Sequence, residues 1–163
     1  MSEALRSLDA QTEDSFEIVA VDDGSTDESA KILAAHRTLK LVTQPHRGLV
    51  AALNLGLANA SGKYIARMDA DDIASPDRLK LQADYLDANS QVGVVGGAAR
   101  YFGDSSANQG LALFVDWANS LHTHERISLN RFVESPLIHP TVMFRSELIE
   151  RHGGYRDGAF PED

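Results

Sequence analysis

"KYIARMDADDIASPDRL", residues 63–79, is the stretch on which the reading of this chain turns. Its first six residues alternate in the manner of a short strand. Three carboxylates then follow within four residues, Asp69, Asp71 and Asp72. Charges of one sign that close together repel, so fold stability alone is a poor reason for them. Either water solvates them or a cation neutralises them. Directly afterwards Ser75, Pro76 and Asp77 resemble a helix start, with Ser75 as N-cap, Pro76 in the first position and Asp77 in the first turn.

Outward from that stretch the elements alternate. Residues 2–11, "SEALRSLDAQ", have Ala4, Leu5 and Leu8 at helical spacing, with Ser2 and Glu3 at the start. "FEIVAVD" (16–22) is short, apolar and β-branched, which predicts a buried strand. After the turn "DDGSTDES", where Asp27 is a candidate cap, "ESAKILAAHR" predicts a helix with Ile32, Leu33 and Ala35 inward. "LKLVT" (39–43) predicts a second strand, "LVAALNLGLANA" a helix stopped at Ser61-Gly62, and "VGVVGGAARYF" a strand after the acidic loop's helix. Further on come an apolar helical region, "PTVMFR" as another strand and "SELIERHGG" as a short helix with a glycine cap. Strands separated by helices of this length imply βαβ crossovers. The expected fold is α/β, Rossmann-like, with a mainly parallel sheet flanked by helices in a single domain over residues 1–163.

Composition narrows the partners. Acidic residues outnumber basic ones by 24 to 15, a net charge of -9, which opposes binding to a nucleic-acid backbone. Without cysteine there is no disulfide framework and no thiolate metal site. No apolar run has the length of a membrane span and no signal peptide opens the chain, so a cytoplasmic setting is the expectation.

In open α/β sheets ligands bind beyond the carboxyl ends of the strands. Two predicted strands end there in carboxylates: Asp22 and Asp23 in "IVAVDDGSTD", and Asp69, Asp71 and Asp72 in "YIARMDADD". Oxygen-only ligands suit a hard cation, Mg²⁺ or Mn²⁺, which keeps waters and uses one or two carboxylates together with substrate phosphates. Either loop alone is also an ordinary solvated turn. An EF-hand is excluded by spacing, because Ala74 and Lys80 stand where it needs Gly and Glu. A haloacid-dehalogenase-type phosphatase, with Asp69 as nucleophile and Asp71 as acid/base, fits less well. Ile73 breaks its motif, "GDSSAN" ends in Asn108 where a late acidic pair is needed, and the scheme leaves "VDDGSTD" unexplained.

Taken together, "VDDGSTDES", "QPHRGLVAALNLGLANASGKYIARMDADDIASPDRL", "HPTVMFRSELIERHGGY" and the closing "PED" resemble inverting glycosyltransferases of family 2, with the GT-A fold. The resemblance runs in order over nearly the whole chain. It implies that Asp23, with Asp22 beside it, holds the nucleotide base, that residues 69–71 are the DXD motif, that Asp71 ligates Mn²⁺ or Mg²⁺, and that Asp69 contacts ribose or a metal-bound water. It also implies that Gly48 and Asn54 line the nucleotide side and that Asp163, next to Glu162, is the catalytic base. Leu53 stands where relatives often have an arginine. The implied reaction moves a sugar from a nucleotide-diphosphate donor, UDP-linked by expectation, to a glycan or lipid-linked acceptor hydroxyl with inversion. A nucleotide-sugar-binding domain without transfer is the alternative. His139, Arg47 and Arg145 are further candidates for phosphates or acceptor, and Trp117 for stacking on an acceptor sugar. Each has an equally ordinary structural role.

Relatives open with a strand of the type Val-Ser-Val-Ile-Ile, which has no counterpart before Met1 here, and they continue beyond the last acidic residues. The expectation is therefore a GT-A core lacking the family's first strand, with open sheet edges, weak or absent activity and a tendency to form homo-oligomers.

Overall fold

The computed structural model describes residues 1–103 and 108–158. Helix α1 (Ser2–Asp9) precedes strand β1 (Ile18–Asp22), helix α2 (Ser29–Ala35), strand β2 (Leu39–Thr43) and helix α3 (Leu49–Asn59). Strand β3 (Tyr64–Ala66), helix α4 (Arg78–Ala88) and the two-residue strand β4 (Val94–Val95) follow. Helices α5 (Gln109–Asn119) and α6 (His124–Asn130), strand β5 (Met143–Arg145) and helix α7 (Glu147–His152) end the described fold.

The α/β alternation stands as the sequence predicts. β1 and β2 pair in parallel through the α2 crossover, Ile18 opposite Leu39 and Asp22 opposite Thr43. β3 and β4, joined by α4, also run the same way as each other, because each is antiparallel to β5, which lies between them. The strand pairs joined by α2 and by α4 are thus parallel, and β5 enters reversed. Among the described residues the two ladders are separate, β1-β2 on one side and β3-β5-β4 on the other.

Local details depart from the sequence reading for identifiable reasons. α4 starts at Arg78 with Asp77 at its N-cap, not at Pro76 behind a Ser75 cap. The Ser75 carbonyl accepts from the Gln11 side chain at 2.8 Å and the Pro76 carbonyl from the Thr12 N–H at 2.8 Å, so this segment is tied to the end of α1 and kept out of the helix. β4 is far shorter than "VGVVGGAARYF". The Gly97 N–H donates to the Thr141 hydroxyl at 3.1 Å and draws the chain away from the ladder. Leu33 of α2 is buried and Ile32 half-buried as expected, but Ala35 is exposed.

The tightest core lies where α4 covers the three-stranded sheet. Leu79, Leu86 and Met143 are buried together, with Tyr64, Ala83, Val92 and Val95 packed around them. Arg145 binds this layer. Its guanidinium donates to the carbonyls of Val92 (2.9 Å), Leu86 (2.6 Å) and Asn89 (3.2 Å), so it satisfies the last turn of α4 and is not offered to a phosphate. The other half is looser. No residue of the apolar α3 and none of Ile18–Val21 in β1 is fully buried.

This asymmetry predicts unequal mutational costs. Leu86→Ala, at 0% exposure, should lower the unfolding free energy by about 2–5 kcal/mol. Leu53→Ala on half-buried α3 should cost clearly less. Urea unfolding of both variants checks the difference.

Candidate nucleotide-sugar site

The first acidic loop is organised around one carboxylate. Asp22 ends β1, is buried, and accepts the Ser25 N–H at 2.9 Å, which closes the turn. Asp23, one residue on, faces the segment leading into α3. Its Oδ1 accepts the Arg47 N–H at 2.8 Å and the Gln44 side-chain amide at 2.6 Å, and its Oδ2 accepts the Gly48 N–H at 2.9 Å. The His46 ring nitrogen lies 2.9 Å from Oδ2. Gly48 caps α3 with φ at +90°, a conformation that glycine adopts without Cβ strain and that turns its N–H toward Asp23. A carboxylate at the start of a helix is also favoured by the helix dipole.

These bonds hold the Asp23 carboxyl below the usual carboxylate range, the Arg47 N–H contributing most. Asp27 accepts the Ser29 N–H at 2.9 Å in the turn ahead of α2, whose N-cap is Glu28.

The second acidic loop is a tight turn, closed by the Asp72 N–H donating to the Asp69 carbonyl at 3.3 Å. Arg67 grips Asp69 with both arms, Nη1 to Oδ2 at 2.8 Å and Nη2 to Oδ1 at 2.7 Å. The Arg67 side chain is only 10% exposed, so this bidentate pair sits at the edge of the interior. Asp71 points outward, exposed, while Asp72 is half-buried. Burial raises the Asp72 carboxyl above the usual range, and the charges of Asp69 and Asp71 add to the effect. Its ionised form therefore costs stability near neutrality, a cost that a bound cation would reduce.

A second cation stands behind the loop. Arg78 donates to the Arg67 carbonyl at 2.6 Å, to the Val142 carbonyl at 3.4 Å and to the Gln82 side chain at 3.1 Å. Burial lowers its pKa and the nearby Asp72 charge opposes that shift. The sequence reading passed over both Arg67 and Arg78. The available signal was a basic residue two before Asp69 and another at the mouth of the next helix, on the same side of a carboxylate cluster.

Asn54 is engaged at a distance. Its Nδ2 donates to the Tyr155 carbonyl and its Oδ1 accepts the Tyr155 N–H, each at 2.9 Å. A Cβ on Gly154 would lie 2.1 Å from that Oδ1, so the close approach needs glycine there. Asn54 thus clamps the backbone just before the closing acidic stretch. His139 joins the same corner, its Nε2 3.0 Å from the Tyr155 hydroxyl. Trp117 is half-buried, its ring tilted against Phe114 at 6.0 Å. Glu162 and Asp163 lie outside the described residues. Among the described residues no three His, Asp or Glu side chains gather closely enough to hold a metal by themselves.

The site is thus an α/β arrangement with acidic loops behind the strand ends, one cradled by a helix start and the other backed by two half-buried arginines. The model of the family described as "Glycosyl transferase family 2" matches residues 1–153, and the chain belongs to that family. It is 33% identical over 168 residues to the amylovoran biosynthesis glycosyltransferase AmsE of Erwinia amylovora, matching 100% of this chain and 60% of that protein. A Haemophilus influenzae glycosyltransferase is 32% identical over 162 residues, matching 96% of this chain and 59% of its own length. Among solved structures, the mannosyltransferase PcManGT from Pyrobaculum calidifontis, in complex with GDP-Man and Mn²⁺, superposes with a TM-score of 0.65 at 27% identity. That match covers 95% of this chain and 43% of PcManGT. S. aureus TarS 1–349 shares the fold, with a TM-score of 0.67 at 23% identity over 95% of this chain and 46% of its own. The chain therefore spans about 60% of the AmsE sequence and under half of these two structures. Its α/β architecture is that of the GT-A glycosyltransferases, and the family leaves the phosphatase scheme without support. No described helix is long and apolar enough to cross a membrane.

The Asp23 network carries a pH signature. Its contribution to stability is fully present above the ordinary value of 3.8 and is lost as pH falls through the lower folded-state value. Asp23→Asn should therefore be less stable than the parent at pH 7, and the gap should shrink as pH drops below about 4. Urea midpoints measured from pH 7 down to pH 3 check this.

Proposed function

We infer that the chain is the donor-binding core of a metal-dependent transferase that moves a sugar from a nucleotide-diphosphate sugar to an acceptor hydroxyl with inversion. One observation carries the reading: within a family 2 chain, Asp71 is exposed in the turn that follows β3 while Asp69, two residues before it, is held by Arg67. A free, exposed carboxylate on a rigid turn suits Mn²⁺ or Mg²⁺. Such an ion takes one or two protein carboxylates and completes its shell with waters and diphosphate oxygens. The residues present fit that ion, because the donor set is oxygen alone and needs the ligand's phosphates to be complete. When bound, the ion supplies Lewis-acid stabilisation of the departing diphosphate.

The chain's own groups do the rest. Asp23 fixes residues 44–48, so that the start of α3 and the end of β1 form one wall for the nucleotide. Arg67 keeps Asp69 oriented, and Asp69 then meets the ribose or a metal-bound water. Asn54 holds the backbone at Tyr155. Asp163 takes the acceptor proton as general base. Attack from the face opposite the leaving diphosphate inverts the anomeric carbon.

UDP is our reading of the nucleotide, and GDP is the other base to test, since PcManGT was solved with GDP-Man. Calorimetry with Mn²⁺ and UDP, and separately GDP, should show metal-dependent binding that weakens at least tenfold in Asp71→Ala. In Asp163→Asn, binding should persist while transfer is lost. Binding that ignores the Asp71 substitution would remove the metal assignment. Binding without transfer in the parent would favour a nucleotide-sugar-binding domain.

A further inference from the structure

The Asp23 carboxylate is nearly saturated by the chain itself. Ionised at neutral pH, it is an acceptor only, with about four lone-pair positions on its two oxygens. Three of these hold fixed partners. The Arg47 and Gly48 N–H groups belong to the start of α3, and they leave only if that backbone moves. Gln44 is anchored twice, its side-chain amide to Oδ1 at 2.6 Å and its backbone N–H to the Asp22 carbonyl at 3.0 Å.

His46 covers the fourth position. Its Nδ1 lies 2.9 Å from Oδ2 and 3.2 Å from the Asp23 carbonyl oxygen. Both neighbours are acceptors, so this nitrogen carries the proton and shares it between them. The Asp23 side chain is 20% exposed and the His46 side chain 81%, so the ring is a loose cover over a mostly enclosed carboxylate. The backbone beneath the ring is held differently. A Cβ on Gly24, whose φ is +80°, would lie 2.8 Å from the His46 backbone nitrogen, so the turn after β1 touches residue 46 through that glycine. The imidazole can swing out while this main-chain contact stays.

We propose that His46 is a specificity-determining residue for the donor: its ring N–H occupies the one exchangeable acceptor position on Asp23, and a nucleotide base enters by supplying an N–H of its own in that place. The inference rests on the nucleotide-sugar reading and adds the competition by which Asp23 selects a base. Exchange of one donor for another keeps Oδ2 satisfied, whereas a base that offers a lone pair there sets two acceptors face to face. Uracil and guanine carry an imide or lactam N–H and meet the condition. Adenine and cytosine present an unprotonated ring nitrogen on the same edge and do not. His46 thus competes with every base, and only a base that donates replaces it without loss.

Calorimetry of the full chain with Mn²⁺ tests this, using UDP and GDP beside 3-methyluridine and 1-methylguanosine diphosphates, in which a methyl group replaces the ring N–H. Whichever of UDP and GDP the parent prefers should bind about three- to tenfold tighter to His46→Ala, because the competing donor is gone. The methylated analogue should bind the parent about tenfold more weakly than the unmethylated nucleotide and should gain nothing from His46→Ala. His46→Asn, which keeps a side-chain N–H, should fall back toward the parent. A histidine that only braces the turn predicts the opposite sign, weaker binding of every nucleotide in His46→Ala, and that result would overturn the proposal. An equal gain for the methylated analogue, or no change in any affinity, would overturn it as well. Failure of the underlying reading shows elsewhere: no Mn²⁺-dependent binding of any nucleotide to the parent or to His46→Ala would remove the donor site, and the role of His46 with it. Binding that depends on Asp71 but ignores His46 would remove this inference alone.

Discussion

Three carboxylates within four residues at a strand end need water or positive charge to offset their repulsion. Here that charge comes from Arg67 and Arg78. Arg67 neutralises Asp69 with a two-armed pair, and Arg78 ties the Arg67 backbone to β5 and α4. An exposed ion pair contributes up to about 1 kcal/mol, whereas a bidentate pair with its guanidinium nearly covered contributes more to geometry than a surface pair does. The outcome is a turn in which one acid is fixed, one is half-buried at an electrostatic cost, and one is left free. Under the proposed function, that division of labour suits a cation site assembled jointly with a diphosphate.

The first acidic loop reaches the same end by another route. Asp23 has no arginine clamp and is held by backbone N–H groups at the start of α3. A change in α3 would therefore be felt at the end of β1. The segment that Asp23 fixes thus leads into a helix whose apolar surface is only partly covered.

Much of this was legible in the sequence. Strand β2 falls on residues 39–43 as its pattern indicates, because β-branched and apolar residues bounded by a turn signal leave little choice. The acidic loops lie directly after β1 and β3, where carboxylates at strand ends belong. Partners contributed from far along the chain were not legible. Gln11 and Thr12 capture residues 75–76 and override a good capping signal, and Thr141 shortens β4. Asn54, read as a nucleotide contact, spends both ends of its amide on Tyr155, a partner 101 residues away. Arg145 resembles a phosphate ligand in sequence and closes the last turn of α4 in the fold. Local pattern identifies elements, and long-range hydrogen bonds decide their ends and the duties of their polar residues.

The central claim is that the loops after β1 and β3 meet at one divalent ion and the nucleotide it carries. Paramagnetic broadening by Mn²⁺ with a nucleoside diphosphate tests it most directly, read amide by amide against the same sample with Mg²⁺. The account predicts that signals from residues 23–25 and from 69–72 disappear together, at one equivalent of Mn²⁺ and only when the nucleotide is present. Loss of signal at 69–72 with residues 23–25 untouched would contradict it.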